Sequence, residues 1–196
     1  MSAEAIRPHH AHWPRRLPRQ LAVPATTLWF NLEVSAARYP DKAAYVYGGK
    51  ALSFAELKRQ AEALAGWLQG AGVERGDRVA LYMQNCPQFV TAFYAVMRAD
   101  AVVVPVNPMN RADEFVHYVS DPDTKLVICA ADLAAFVAGA NEQLPAQQRL
   151  KAVLVTRYAE ALPDAETDAV DAELALPPAI EQWLRADPPL PEGFTR

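Results

Sequence analysis

Gly76-Asp77-Arg78-Val79-Ala80-Leu81, then Asn85-Cys86-Pro87-Gln88-Phe89, then Ala101-Val102-Val103-Val104-Pro105-Val106-Asn107-Pro108 reads as turn, strand, helix, strand and sharp exit loop. Val79 to Met83 is a short apolar run bounded by polar residues, the pattern of a strand covered on both faces. Asn85 or Cys86 can cap the helix that follows, with Pro87 at its first position, where the missing N–H costs nothing. Phe89, Phe93, Val96 and Met97 then share one stripe, which is expected to be the buried one. Ala101 to Val106 is almost wholly β-branched and closes at Pro105 and Pro108, neither of which fits the middle of a hydrogen-bonded ladder; a buried strand and its exit are expected.

The same alternation continues on both sides. Upstream, Ser53 with Glu56 three residues later forms a capping box, and Leu57, Ala61, Leu64 and Leu68 recur at helical spacing until Gly70 and Gly72 stop the helix. Ahead of it, Ala43 to Tyr47, Gly48-Gly49 and Ala51 to Phe54 read as a hairpin. Downstream, Asn110 can cap a helix running to Val119, with Asp113 and Glu114 in its first turn, where carboxylates favour the positive end of the helix dipole. Lys125 to Cys129 is a third apolar strand, Asp132 caps a helix carrying Leu133, Phe136 and Val137, and Ala152 to Thr156 is a fourth strand. Strands alternating with helices of this length predict an α/β fold: a doubly wound, mainly parallel sheet with flanking helices, right-handed crossovers and an N-terminal hairpin.

At 196 residues the chain can bury roughly 70% of its unfolded surface, so a core needs neither disulfide nor metal. A net charge of −4 without a basic stripe argues against nucleic acid as a partner. Cys86 at a helix start and Cys129 at a strand end read as reduced structural thiols. With no signal-like apolar run and no segment of membrane-spanning length, a cytoplasmic protein is expected.

The ends differ in kind from the middle. Residues 1–23 form a basic arm, with Arg7, Arg15, Arg16, Arg19, His9, His10 and His12 broken by Pro8, Pro14 and Pro18, expected to be extended or disordered. Its histidines lack the fixed geometry of a metal site, and no metal is assigned to them. Together with Trp13 the arm suits peripheral contact with an anionic membrane surface. Residues 24–158 are the α/β subdomain. Residues 159–175 are an acidic loop, where Glu160, Asp164, Glu166, Asp168, Asp171 and Glu173 read as solvated charge. Residues 176–186 hold a short helix around Ile180 to Leu184, and 187–196 read as a linker through Asp187-Pro188-Pro189-Leu190-Pro191.

Catalytic constellations are scarce. Gly48-Gly49-Lys50 sits in a hairpin turn rather than before a helix, so it is no phosphate loop, and Lys50 is expected at the surface. His117, the only histidine outside the arm, falls in an amphipathic helix, and no Ser, His and acid assemble around it. Tyr94 and Tyr118 read as packing residues with a polar tip. No catalytic residue is assigned.

Leu28, Tyr39-Pro40-Asp41-Lys42-Ala43-Ala44, Leu52-Ser53-Phe54-Ala55-Glu56-Leu57, Gly72-Val73, Gly76-Asp77-Arg78-Val79, Asn85-Cys86-Pro87-Gln88-Phe89, Val103 to Met109 and Glu114 to Asp121 resemble, in order and spacing, the N-terminal part of adenylate-forming acyl-CoA synthetases. The resemblance runs from residue 24 to residue 156, and Asn107-Pro108-Met109-Asn110 is most similar to medium- and long-chain fatty-acid ligases. One departure stands at Ala99-Asp100-Ala101, where the family usually has Gly between two alanines. If that turn requires a positive φ, Asp tolerates it less well than Gly.

The resemblance implies part of the large N-terminal domain of that superfamily and a two-step reaction. A carboxylate attacks ATP to give an acyl-adenylate and pyrophosphate, and the CoA thiol then displaces AMP. ATP, Mg²⁺ and CoA are implied as cofactors of the complete enzyme, a fatty acid as substrate, and the remainder of its own chain as partner. Members hold the triphosphate in a Ser/Thr/Gly-rich loop ending in Pro-Lys-Gly. Asp187 to Arg196 resembles the linker that leads into that loop, so these 196 residues are expected to stop short of it, to bind none of the cofactors and to be inactive by themselves. The family's CoA entrance lies beside the loop after Val106, which makes Asn107, Pro108, Met109 and Asn110 candidates for its rim; Asn110 as a simple helix cap is the other reading. Apolar surface facing absent strands predicts self-association. The alternative is a free-standing α/β binding or interaction module without catalysis; an unrelated nucleotide-binding domain would rest on fold analogy alone.

Overall fold

The computed structural model describes residues 8–20, 22–164 and 173–195. Helix α1 (Leu28–Arg38) leads into an antiparallel hairpin of β1 (Ala43–Tyr47) and β2 (Lys50–Ser53), whose turn needs the positive φ of Gly48 and Gly49. Helix α2 (Phe54–Gly70), β3 (Arg78–Tyr82), α3 (Pro87–Arg98), β4 (Val102–Val106), α4 (Ala112–Ser120), β5 (Thr124–Ala130), α5 (Ala134–Gln143) and β6 (Ala152–Thr156) follow, and α6 (Pro178–Leu184) comes last. The last four strands form one parallel sheet in the order β4-β3-β5-β6. The chain steps outward from β3 to β4 and then returns past β3 to β5 and β6. Right-handed crossovers in opposite directions put their helices on opposite faces, which makes the sheet doubly wound.

Side-chain alternation along β3 divides the core in two. Val79 and Leu81, with Ile128 of β5, meet Leu57, Ala61 and Leu68 of α2 and Ala92, Ala95 and Val96 of α3. Ala80 and Tyr82, with Val127 and Cys129, meet Phe115 and Val119 of α4 and Val137 and Ala140 of α5. Ser53 caps α2, its hydroxyl accepting the Glu56 N–H at 3.2 Å. Glu56 turns forward to Arg59 and Gln60 instead of back to the cap, so half of the expected box forms. Gly72 at φ +85° then lets the Val73 N–H reach the Leu68 carbonyl at 3.0 Å, the six-to-one closure of a Schellman motif.

Several expectations are corrected. On α3 the fully buried stripe is Ala92, Ala95 and Val96; Phe89, Phe93 and Met97 are only partly buried. The reason is the partner: α2 presents Ala61 and Ala65 to α3, and small residues on both sides bring the helices close while the rings stand beside the seam. β4 is the sheet edge rather than a buried strand, with Val102 45% exposed. That edge is also why Pro105 sits inside the strand without breaking a ladder. The cap of α4 is Arg111, whose N–H is held by Glu114 Oε2 at 2.6 Å, not Asn110. Asp132 lies in a 3-10 turn, Ala131–Leu133, and α5 begins after it without a side-chain cap. In the basic arm Pro8–His12 form a 3-10 turn rather than an extended run, with His9 and His10 edge-on to Trp13. The linker is fastened to the sheet: Thr195 accepts from the Val155 N–H at 2.7 Å and donates to the Val153 carbonyl at 3.1 Å, beginning a parallel pairing with β6.

Candidate functional site

The loop after β4 is a tight, internally bonded turn. Asn107 Oδ1 accepts the Met109 N–H at 3.0 Å, and the Asn107 carbonyl accepts the Asn110 N–H at 3.0 Å, with Pro108 in the position that fixes φ for such a turn. The Asn110 carbonyl accepts the Tyr82 hydroxyl. Arg111 follows, its guanidinium 4.7 Å from the centre of the Phe136 ring on α5. Met109 is left 80% exposed at the tip. The four candidates Asn107 to Asn110 therefore stand together on one rigid projection at the carboxyl end of β4, the end of the sheet where open α/β folds carry their ligands. A shallow groove beside it is lined by Asn110, Glu114, His117, Tyr118, Asp121 and Pro122.

Electrostatics around the turn suit binding rather than covalent chemistry. Burial pushes the Tyr82 phenol up to about 12, with Arg111 opposing, so it stays protonated and donates. Burial likewise pushes the Cys86 thiol up to about 11, against hydrogen bonds from the Phe89 and Gln88 backbone, and raises the Cys129 thiol. Both cysteines are free and buried, and neither is a thiolate nucleophile near neutral pH. His117 is exposed on α4. Lys50 is exposed at the hairpin turn, its ammonium 3.5 Å from the Leu162 carbonyl. Of the acidic group, Glu160 receives the Thr156 hydroxyl at 2.9 Å; Glu166, Asp168 and Asp171 lie outside the described residues. Tyr94 is partly buried, edge-on to Phe93, and Tyr118 packs against the second core.

A second constellation, not foreseen, gathers at the carboxyl ends of β3 and β6. The Gln84 N–H donates to the Tyr158 hydroxyl at 3.0 Å, and Gln88 Nε2 donates to the Arg157 carbonyl at 2.7 Å. Tyr158 lies against Trp183 of α6, ring centres 5.1 Å apart, and Arg157 pairs with Asp187. These contacts clasp α6 over the strand ends. Their partners are separated by 69 and 74 residues in the chain, a range at which no local pattern signals a contact.

Residues 32–191 match the family described as AMP-binding enzyme. The long-chain-fatty-acid–CoA ligase of Bacillus subtilis (strain 168) is 38% identical over 125 residues, covering 64% of this chain and 22% of that protein. The oxalate–CoA ligase of Arabidopsis thaliana is 36% identical over 146 residues, 74% of this chain and 27% of that one. Among solved structures, a Mycobacterium tuberculosis fatty acyl CoA synthetase superposes with a TM-score of 0.63 at 28% identity, over 74% of this chain and 30% of its own. The chain thus spans about a quarter of the length of the curated relatives it matches.

Proposed function

Because this chain belongs to the AMP-binding enzyme family, we propose that it is the N-terminal part of a fatty-acyl-CoA ligase, which joins a carboxylic acid to CoA through an acyl-adenylate. The observation that carries this reading is the extent of the family match, which takes in both faces of the sheet and the turn after β4 together. The acid is read as a fatty acid on the strength of the relatives' names; the oxalate ligase is the reminder that this end of the chain need not set the acid.

The complete enzyme would use ATP, Mg²⁺ and CoA. The residues present do not fit the triphosphate or its metal: the closest glycine pair is a hairpin turn, and among the described residues no group of three or more His, Cys, Asp or Glu could hold a metal ion. No step of adenylation is therefore assigned to this chain. Its residues fit a positioning role toward CoA, with Asn107 and Asn110 offering amide groups and Met109 an apolar contact at the rim of the entrance. Two buried, unpaired cysteines support a cytoplasmic setting, and among the described residues no helix is long and apolar enough to cross a membrane.

Charge developing between carboxylate and α-phosphate has to be met by fixed donors and a cation. The 196 residues alone, given ATP, Mg²⁺ and a panel of fatty acids, should release no pyrophosphate above background. The reading frame carried on to its natural end should release it and form acyl-CoA. Saturable release by residues 1–196 alone would overturn the placement of the active site outside them. A full-length product that forms no adenylate with any acid would favour a binding module instead.

A further inference from the structure

We infer that Tyr82 is the positioning residue of the turn Asn107–Asn110: its hydroxyl locks the turn to the sheet from inside the core, without itself reaching the surface. Tyr82 ends β3 and is 0% exposed, its ring 4.7 Å from that of Phe115 in the second core. The ring packs on Phe115 and the apolar side chains of the second core, and the phenol oxygen, shut off from solvent, needs a hydrogen-bond partner. The Asn110 carbonyl is that partner.

The other bonds of the turn are local. Met109 and Asn110 bond back to Asn107, and Arg111 bonds forward to Glu114. None of these fastens the turn to the sheet, and bonds this local open more readily once the turn is no longer pinned. The Tyr82 bond is the only side-chain hydrogen bond, among the described residues, that runs from the sheet to this turn. It spans 28 residues of sequence and joins the end of β3 to the exit of its neighbour β4. Burial keeps the phenol protonated through the neutral range, so the tie is not lost by titration there. The consequence for the proposed function, on whose reading of the turn this part rests, is that Tyr82 sets how the rim is presented to CoA without touching it.

Tyr82→Phe removes one oxygen and keeps the ring contact with Phe115. In the 196-residue chain, hydrogen exchange at the amides of Met109 and Asn110 should speed up roughly tenfold, the scale of one net hydrogen bond, while amides of β3 and β5 change less than about twofold. Unchanged exchange at the turn, or an equal rise across the sheet, would overturn the inference, the first because the tie does nothing and the second because its role is general stability. In the full-length ligase the same variant should raise KM for CoA about tenfold and leave KM for ATP in place. A loosened turn with unaltered KM for CoA would leave the Tyr82 tie standing and remove the CoA reading of the turn; a firm turn removes the tie whatever the kinetics do.

Discussion

Asp100 carries a cost that can be weighed. It stands at φ +57° immediately after the cap of α3, where the Ala101 N–H closes back on the Val96 carbonyl at 3.0 Å and the Asp100 carbonyl receives the Gly76 N–H at 2.9 Å. A left-handed conformation costs an L-residue about 1–2 kcal/mol, somewhat less for Asp, while glycine there gives up roughly 0.5–1 kcal/mol of chain entropy. Asp100→Gly should leave stability unchanged or raise it by up to about 1 kcal/mol, and Asp100→Val should lower it by about 1–2 kcal/mol, read as shifted urea midpoints at constant slope. A Val variant as stable as the parent would mean the turn relaxes. Asp132 offers a titration. It is exposed at the mouth of a cleft shared with Arg157, Tyr158 and Trp183, where partial desolvation holds its carboxyl above the ordinary range, its own backbone N–H only partly compensating. With the folded value above the unfolded one, its contribution is full below the unfolded pKa and is lost as pH rises through the folded one. Asp132→Asn should therefore match the parent near pH 3 and exceed it near pH 7; a deficit at neutral pH would show that the ionised group has a partner. The demand at Asp100 was visible only through the family resemblance, in which glycine usually stands between the two alanines, and the positive φ there bears that condition out. The Tyr82 tie to Asn110 was not, because which face of the sheet Tyr82 looks into depends on strand register.

Periodicity placed nearly every helix and strand of residues 43–156, since each element carries its own period and its own stop signals. What periodicity could not say is which neighbour an element would meet. The run Val102 to Val106 has the composition of a buried strand, yet strand order makes it an edge, and order is decided by where the crossovers go. The same limit governs α3. Phe89 and Phe93 are its largest apolar residues and head its stripe, but the buried seam against α2 belongs to Ala92 and Ala95. Phe89→Ala or Phe93→Ala should then cost about 1–2 kcal/mol, less than the 3–5 kcal/mol of a fully buried ring. Ala95→Leu should cost about 1–3 kcal/mol by overpacking a seam with no room for a branched side chain. Urea melts that rank the three the other way would put the rings, not the alanines, at the centre of the packing.

Among the described residues the folded unit leaves large apolar side chains in the open: Val46 on the hairpin, Val102 on the sheet edge, Met109 on the turn, and Ile180 and Trp183 on α6. Among the described residues the sheet gains beyond β6 only the single bridge at Thr195, so on both sides of the sheet there are strand edges whose backbone groups face outward. Pro105 and the exposed Lys151 discourage pairing at particular points but do not cover apolar area. We propose that the chain self-associates through these surfaces when nothing else packs on them, weakly, because the apolar residues are dispersed over several elements rather than gathered into one patch of interface size. Sedimentation velocity should give a weight-average mass that rises with concentration in the tens-of-micromolar range, roughly the regime of small, imperfect interfaces. Val46→Thr and Val102→Thr should each reduce that rise while leaving the stability read from urea melts within about 0.5 kcal/mol of the parent, as surface changes do. A strict monomer across that range, with no binding of a hydrophobic dye, would mean the exposed side chains are simply hydrated surface.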